Sequence, residues 1–395
     1  MRTTEIKTTC SYCGVGCGII ARKDARSKLT VTGDPEHPVN RGKLCSKGRN
    51  LNYVVQDRTD RLLYPEMRLH RSHRLGRVTW EKAMQRAAAV FKSIIARHGP
   101  DSVGFYVSGQ CLTEEYYLVN KLVKGFIGTN NIDTNSRLCM SSAVTAYVKM
   151  LGEDLVPVAY EDLEYSDCLF VAGANPSWCH PILWRRVEEH KAANPDVKII
   201  VVDPRKTDTC AIADLHLQLI PGTDVLLYHA IARQLWNDGR IDEAFIGDHT
   251  EAGENYFRIL KDINLRKAAK GCGVPLEQIR LAAKYIGDAK AFMTMWAMGL
   301  NQSKVGVEKN GALINLHLLT GQIGRPGAGP FSLTGQPNAM GGREVGGMAS
   351  LLAAHRVLAD PADRAEVAAY WGVDRLPANP GFTATQMFEA LESGK

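Results

Sequence analysis

Four cysteines within the first 45 residues restrict this chain more than any other feature. Cys10, Cys13, Cys17 and Cys45 are spaced C-x2-C-x3-C-x27-C, with Gly14, Gly16 and Gly18 among them. An iron–sulfur cluster needs several thiolates converging on one cubane, and short spacings between small residues let the backbone curl around it. A structural zinc site is the alternative, but it usually presents two separated C-x2-C pairs or Cys and His pairs; three cysteines crowded into CSYCGVGC fit a cluster better. Around them the chain alternates in apolar character from Gly18 to Val31 and shows no helical period, which predicts a small β-rich module over residues 1–58.

The remainder has material for two further domains, since 395 residues exceed what one core of ordinary size requires. Over the whole chain 48 Lys and Arg against 42 Asp and Glu leave a net charge of +6 that is spread along the sequence and forms no basic block, so nucleic acid is not an expected partner. The start, MRTTEIKTTC, has neither an apolar h-region nor a twin arginine, and no apolar run reaches bilayer length. A cytoplasmic protein with no membrane partner is expected. In that reducing compartment ten cysteines are read as thiols, so clustered ones call for a metal or redox centre.

From Thr79 onward the pattern is helical. Met84, Ala87, Ala88, Phe91, Ile94 and Ile95 recur at helical spacing until Gly99-Pro100, a strand is predicted over Val103–Val107, and Thr113 is placed to cap a helix through Tyr116, Tyr117, Val119 and Val123. Residues 167–237 then repeat a strand–loop–helix theme. DCLFVAG, VKIIVVD and LHLQLI are its strands, with helices through Trp184 and from Asp224. A fourth strand, Ala291–Trp296, feeds a helix over about Val307–Leu319; such alternation implies a parallel sheet with helices on its faces. FSLTGQPNAMGGREVGG reads as too glycine-rich for a regular element, with helical material returning at Met348 and a short helix over Ala384–Glu392 closed by Gly394.

Ligands of open α/β sheets bind beyond the carboxyl ends of the strands. Three loops lie there in this chain: Gly173-Ala174-Asn175-Pro176, Asp203-Pro204-Arg205-Lys206-Thr207 and Pro221-Gly222-Thr223-Asp224. None carries GxGxxG, so a conventional NAD site lacks its fingerprint, and singly each loop could be an ordinary turn. Cys139, in NSRLCMSSAV, is on its own more often a buried inert thiol. A thiolate is nevertheless a sensible ligand for a soft metal.

With these motifs together the chain resembles the molybdopterin oxidoreductases, in particular assimilatory nitrate reductases. The resemblance rests on the cysteine cluster, on Asn135, Cys139 and Met140 in NSRLCMSSAV, on Met298 and Gln302 in WAMGLNQ, and on Gly335, Gln336, Asn338 and Arg343 in GPFSLTGQPNAMGGREVGG. Related formate dehydrogenases place His directly after the metal-binding Cys or selenocysteine, where Met140 stands here. The family fold implied is α/β: the small β-rich 4Fe-4S module, then two Rossmann-like domains, one over 139–331 and one discontinuous over 59–138 plus 332–395. The family's C-terminal barrel-like domain is absent from these residues, which on this reading makes the chain a truncated product.

The resemblance implies molybdenum bis(molybdopterin guanine dinucleotide) ligated by Cys139, beside a 4Fe-4S cluster on Cys10, Cys13, Cys17 and Cys45. Met140 and Lys47 stand as catalytic candidates, Lys47 lying between cluster and pterin. The pterin dinucleotides would be held by Lys47, Gln110, Asn135, Gly173, Asn175, Asp203, Arg205, Thr207, Gly222, Asp224, Met298, Gln302, Gly335, Gln336 and Asn338. Nitrate is the implied substrate, reduced to nitrite by oxygen-atom transfer, with ferredoxin or an NADH-dependent flavoprotein as electron donor. The rivals are a formate dehydrogenase and a non-catalytic electron-transfer module.

Overall fold

The alternation around Gly18–Val31 becomes an antiparallel meander of β1 (Thr4–Thr9), β2 (Gly18–Lys23) and β3 (Leu29–Gly33), in that order. Buried Asn40 then clamps the turn that follows: its amide donates to the Gly18 and Lys43 carbonyls at 3.0 and 2.9 Å and its Oδ1 accepts from Gly18 N–H at 2.7 Å. The long excursion to Cys45 is thereby brought back beside Cys17. The computed structural model describes residues 4–68, 70–251 and 253–394. Met1–Thr3 at the start and the final Lys395 lie outside the described residues.

After a two-residue ribbon, β4 (Glu66–Met67) with β5 (Gly76–Arg77), helix Trp80–His98 forms where the apolar period predicts it. Thr79 Oγ1 caps it by accepting from Lys82 N–H, and Gly99 ends it at φ +85°. The strand expected over Val103–Val107 is only β6 (Phe105–Val107), because its one partner, β7 (Ile132–Thr134), is itself three residues long. Helix Thr113–Asn120, continued by a π-type helix over Lys121–Ile127, joins them. Thr113 does not cap it. The cap position is Leu112, whose N–H is taken by the Glu115 carboxylate at 2.8 Å, while Thr113 Oγ1 accepts from Asn338 Nδ2.

The repeated theme from residue 167 folds as one parallel sheet of β8 (Cys168–Ala172), β9 (Lys198–Val202), β10 (Leu215–Leu217), β11 (Phe292–Trp296) and β12 (Gly329–Ser332). Its order is β10-β9-β8-β11-β12, so the chain reverses direction of growth between β8 and β11. That reversal is the topological switch point of a doubly wound fold. Strand side chains alternate between faces. Cys168, Phe170, Ala172, Ile200, Val202, Phe292 and Trp296 face a core shared with helices Ser141–Leu151, Asp224–Asn237, Leu276–Asp288 and Gly306–Leu319. Leu169, Val171, Ile199, Val201, Met293 and Met295 face helix Pro181–Ala193 and, beyond it, Cys10, Val15, Cys17, Ile19 and Leu44 of the cysteine module. Each large apolar side chain buried this way contributes roughly 1.5–3 kcal/mol, so the sheet anchors the N-terminal module as well as its own helices.

Three expectations are corrected here. LHLQLI pairs only over Leu215–Leu217. The glycine-rich stretch is regular at both ends: its Phe331 and Ser332 belong to edge strand β12, and Ala339–Glu344 is a short helix. Pro330, which lacks a donor, is tolerated because β12 is an edge. Finally, Met348 is not helical; Val345–Leu352 is irregular and mostly buried, and helices resume with a short turn at Ala353–His355 and then Pro361–Trp371. The chain ends against β7, where helix Ala384–Ser393 starts with Ala384 N–H donating to Asp133 at 2.7 Å and closes at Gly394.

Candidate metal and cofactor site

The four N-terminal thiols ring one small void, closed by Tyr12, Val15, Leu44, Gly48, Pro181 and Ile182. Cys10 and Cys17 sit at the mouth of the hairpin, joined by Cys10 N–H to Cys17 C=O at 2.8 Å, and Cys45 starts the helix Ser46–Arg49. Burial, followed by the mutual repulsion of Cys10, Cys13 and Cys45, pushes the Cys17 thiol up to about 12. Cys13 is also raised by burial, with Lys47 pulling it back. Thiols gathered round a common void are suited to a cationic ligand that takes them as thiolates. Among the described residues no three His, Cys, Asp or Glu side chains gather tightly enough to hold a single metal ion. All ten cysteines are free.

The cysteine module meets the rest of the chain at Thr334–Gly335. Gly14 N–H donates to Gly335 C=O at 3.0 Å, and a Cβ on Gly14 would stand 2.3 Å from the Thr334 oxygen, so only glycine permits this approach. The other side of Gly335 faces the second metal candidate. Cys139, at the end of helix Ser136–Cys139, is buried; burial raises its pKa and a backbone hydrogen bond from Gly335 lowers it. A path of contacts therefore leads from Cys13 through Gly14 and Gly335 to Cys139, its Gly14–Gly335 step being a backbone hydrogen bond.

Around Cys139 the structure collects most of the second group of candidates. Asn135 Oδ1 accepts from Gly109 N–H at 2.9 Å, and Gly109 C=O accepts from Asn338 N–H at 2.9 Å, so 108–110, 135–140 and 335–338 form one surface. Asn338 Nδ2 also reaches the Cys111 carbonyl at 2.9 Å. Gln110 is exposed at its edge. Gln336 Oε1 is buried without a partner, an acceptor waiting for a donor. Met140 Sδ accepts from Asn301 Nδ2 at 3.0 Å, and Gln302 Nε2 holds the Leu138 carbonyl at 3.1 Å.

The remaining candidates lie at the switch point. A cavity of about 400 Å³ is lined by Gly173, Asn175, Asp203, Arg205, Gly222, Asp224 and Met298, each at the carboxyl end of its strand or in the loop beyond. Gly173 has φ +54° and approaches Gly299 so closely that a Cβ would lie 2.9 Å from the Gly299 Cα, which seats both loops in one wall. Asp203 Oδ1 accepts from Arg205 N–H at 2.8 Å, and Asn175 Oδ1 from Thr209 Oγ1 at 2.7 Å. Thr207 is not on the lining, but its buried Oγ1 has no partner. The two orphaned polar atoms, the thiol ring and this cavity fit a cluster and a phosphate-bearing pterin. The residues that would hold them are the ones just placed.

Sequence reasoning missed three residues here. Asp224 is not free: Lys309, from helix Gly306–Leu319, pairs with it at 2.7 Å with both side chains buried. His180 lines the same cavity and bonds the Thr334 carbonyl through Nε2 at 2.8 Å; burial holds its pKa below the usual range, and Lys47 adds to this. Trp178 offers its carbonyl to Lys47 Nζ at 3.0 Å. Lys47 also lies 5.3 Å from the Tyr12 ring centroid, so it stands between the cysteine ring and the cavity. Trp178 and His180 follow Asn175-Pro176 closely, the one available signal; Lys309 gave none. A further cavity of about 810 Å³ beside Tyr256 lies apart from all of these residues.

Comparison with known proteins agrees with this geometry. The description "Molybdopterin oxidoreductase Fe4S4 domain" matches residues 3–57 and "Molybdopterin oxidoreductase" matches 61–395. A nitrate reductase of Klebsiella oxytoca is 47% identical over 99% of this chain and 44% of its own length. A periplasmic nitrate reductase of Desulfovibrio desulfuricans is 42% identical, covering 98% and 53%, and an assimilatory nitrate reductase of Haloferax mediterranei 38%, covering 96% and 52%. The chain spans about half the length of these curated relatives. Among solved structures, acetylene hydratase from Pelobacter acetylenicus superposes with a TM-score of 0.72 at 25% identity, over 82% of this chain and 44% of that one. No described helix is long and apolar enough to cross a membrane. The thiol ring, the switch-point cavity and these matches lead to one conclusion: the chain belongs to the molybdopterin oxidoreductase family, and its cofactors are molybdenum–molybdopterin and a 4Fe-4S cluster.

Proposed function

We propose that the protein reduces nitrate to nitrite by oxygen-atom transfer in cytoplasmic nitrate assimilation, with two electrons and two protons consumed and one water released. The observation that carries this reading is the cavity of about 250 Å³ against Met140. Three guanidinium groups, Arg137, Arg343 and Arg356, line it, each paired with a carboxylate: Asp133, Asp154 and Glu366 in turn. Guanidinium N–H groups that these carboxylates leave free can donate to the oxygens of a small oxyanion. When bound, the molybdenum–molybdopterin group supplies the two-electron centre at which the oxygen atom is transferred.

The chain's own part is to orient and insulate. Cys139 provides the protein thiolate, its helix fixed by Gln302 and by the Arg137–Asp133 pair at 3.0 Å. Met140, whose Sδ is held by Asn301, puts an apolar side chain directly after Cys139, so it could not take up or deliver a proton as a histidine would. Cys10, Cys13, Cys17 and Cys45 hold the electron relay, and Lys47 stabilises negative charge at Cys13 on the side of the cavity. On this reading two pterin guanine dinucleotides are bound, the switch-point cavity taking one through Asn175, Asp203 and Arg205. The donor is ferredoxin or a flavoprotein using NADH.

Nitrate-dependent oxidation of reduced viologen by the cofactor-loaded protein tests the proposal. Oxidation with nitrate and no response to formate supports it. Formate-dependent reduction of viologen indicates a formate dehydrogenase, and no response to either anion an electron-transfer module; both outcomes reject it.

A further inference from the structure

Lys124 is completely buried in the π-type helix Lys121–Ile127 and takes no part in the site described above. Its ammonium donates to the carbonyls of Gly346 at 2.7 Å, Met348 at 2.9 Å and Leu351, three acceptors from one segment for its three donors. One helical turn earlier, Asn120 Nδ2 donates to Val345 C=O at 2.5 Å. One turn earlier again, the fully buried Tyr116 ring lies so close to the same stretch that a Cβ on Gly342 would stand 2.5 Å from its Cζ. Residues four apart share a helix face. Tyr116, Asn120 and Lys124 thus form one row that grips the chain from Gly342 to Leu351.

The gripped segment satisfies itself only in part. Val345–Leu352 is irregular, Leu351 N–H donates to Met348 C=O at 3.2 Å, and the other buried carbonyls need donors from elsewhere. Lys124 and Asn120 supply four donors. Burial pushes the lysine's pKa down to about 7, and the Asp133 carboxylate opposes this; the three carbonyls likewise favour the charged form, because a neutral amine would turn its lone pair toward one of them. The same segment lines a cavity. Its Met348, Leu351 and Leu352, with Arg343 of the helix just before it, border the space that Arg137 and Met140 also border.

We propose that Lys124 is a positioning residue that fixes Val345–Leu352, and with it the Arg343 side of the cavity, at the distance from Met140 that an oxyanion substrate requires. This inference rests on the nitrate reading for the substrate but not for the clamp itself. Lys124 touches neither substrate nor cofactor and acts only through the carbonyls it holds.

Hydrogen exchange of the cofactor-free chain separates the two. In Lys124→Met, amides of Gly346–Leu352 should exchange at least tenfold faster than in the parent, while those of β8, β9 and β11 are unchanged. Asn120→Ala, which removes one donor, should accelerate the same amides by about twofold to threefold, and it decides the matter if Lys124→Met does not fold. Unchanged exchange in this segment overturns the clamp. In the loaded protein the KM for nitrate should rise about tenfold with kcat altered less than threefold. Faster exchange with an unchanged KM overturns the positioning role, because the segment would then move without consequence. A parent that shows no nitrate turnover, while Lys124→Met still loosens the segment, sinks the nitrate reading and upholds the clamp.

Discussion

The sheet β8–β12 and the ribbon β6–β7 are built from the same strand–loop–helix theme, yet they bury it differently. Every residue of β8 and β11 is buried, and helices cover both faces of that sheet. Beside β6–β7, helix Trp80–His98 has no buried residue at all, with Trp80 66% and Met84 62% exposed. What holds the second region is a small apolar cluster, Leu352, Leu358, Val367, Ala368, Trp371 and Leu376, together with polar contacts. Asn130 donates to the Pro377 and Asn379 carbonyls, Asn131 accepts from Phe382 N–H and Asp133 from Ala384 N–H. Period therefore tells which face of a helix is apolar, and says nothing of whether another element covers it. The lesson extends to the site: the apolar sheet seats the loops of the switch-point cavity and the cysteine module, while hydrogen bonds from Asn120 and Lys124 hold the 345–352 segment beside the cavity that Met140 lines.

The comparison can be broken first at the sheet. Trp184→Ala removes a buried side chain that shares its core with Cys10 and Cys17. A loss of about 3–5 kcal/mol is expected, read as a lowered urea midpoint, together with a weaker cluster signal on reconstitution. A midpoint within error of the parent would show that the module is not anchored there.

Lys309→Met should cost about 3 kcal/mol, near the lower end for a broken buried pair because a cavity borders it. The double variant Lys309→Met with Asp224→Leu should recover most of that loss. No recovery would mean that Lys309 acts through something other than Asp224.

An effect of similar size is spread over a range of pH. His317 is buried between Thr294 and Gln322; its Nδ1 donates to the Gln322 carbonyl and burial holds its pKa down at about 3. Its folded pKa lies below the usual 6.5, so the unfolded chain binds the extra proton first. The contribution is complete above pH 6.5 and is lost as pH falls toward 3, at roughly 1.4 kcal/mol per unit. His317→Gln should flatten this limb of a stability–pH curve measured from pH 7 to 4; an unchanged slope assigns it to other groups. The smallest effect belongs to the ribbon. Phe91→Ala, which loses one stacked contact with Phe105 on an exposed face, should cost about 1 kcal/mol or less. A cost like that of Trp184→Ala would abolish the contrast between the two regions.

Much of the sheet was legible because β8, β9 and β11 are continuous apolar runs between turn residues, the pattern of strands buried on both faces. β12 was not, since Gly329 and Pro330 look like loop and only an edge position accommodates them. The cysteine ring was legible from spacing, and the switch-point loops from their place after strands. Lys309 and Lys124 were not, because a lysine inside a helix reads as solvent-facing until tertiary structure puts a carboxylate or three carbonyls around it. Thr113 misled for the opposite reason: a good capping residue stood one position inside the helix, with Glu115 closing back on Leu112.

The central claim is that two separate thiolate sites serve two redox centres, and the most direct measurement compares iron, labile sulfide, molybdenum and the reduced-state EPR spectrum in Cys45→Ser and Cys139→Ala of the cofactor-loaded protein. Cys45→Ser should lose the iron–sulfur signal. Cys139→Ala should keep that signal in full while nitrate turnover falls at least a hundredfold, about 2.7 kcal/mol in barrier. Bound zinc with no iron in the parent, or nitrate turnover at the parental rate in Cys139→Ala, would contradict the account.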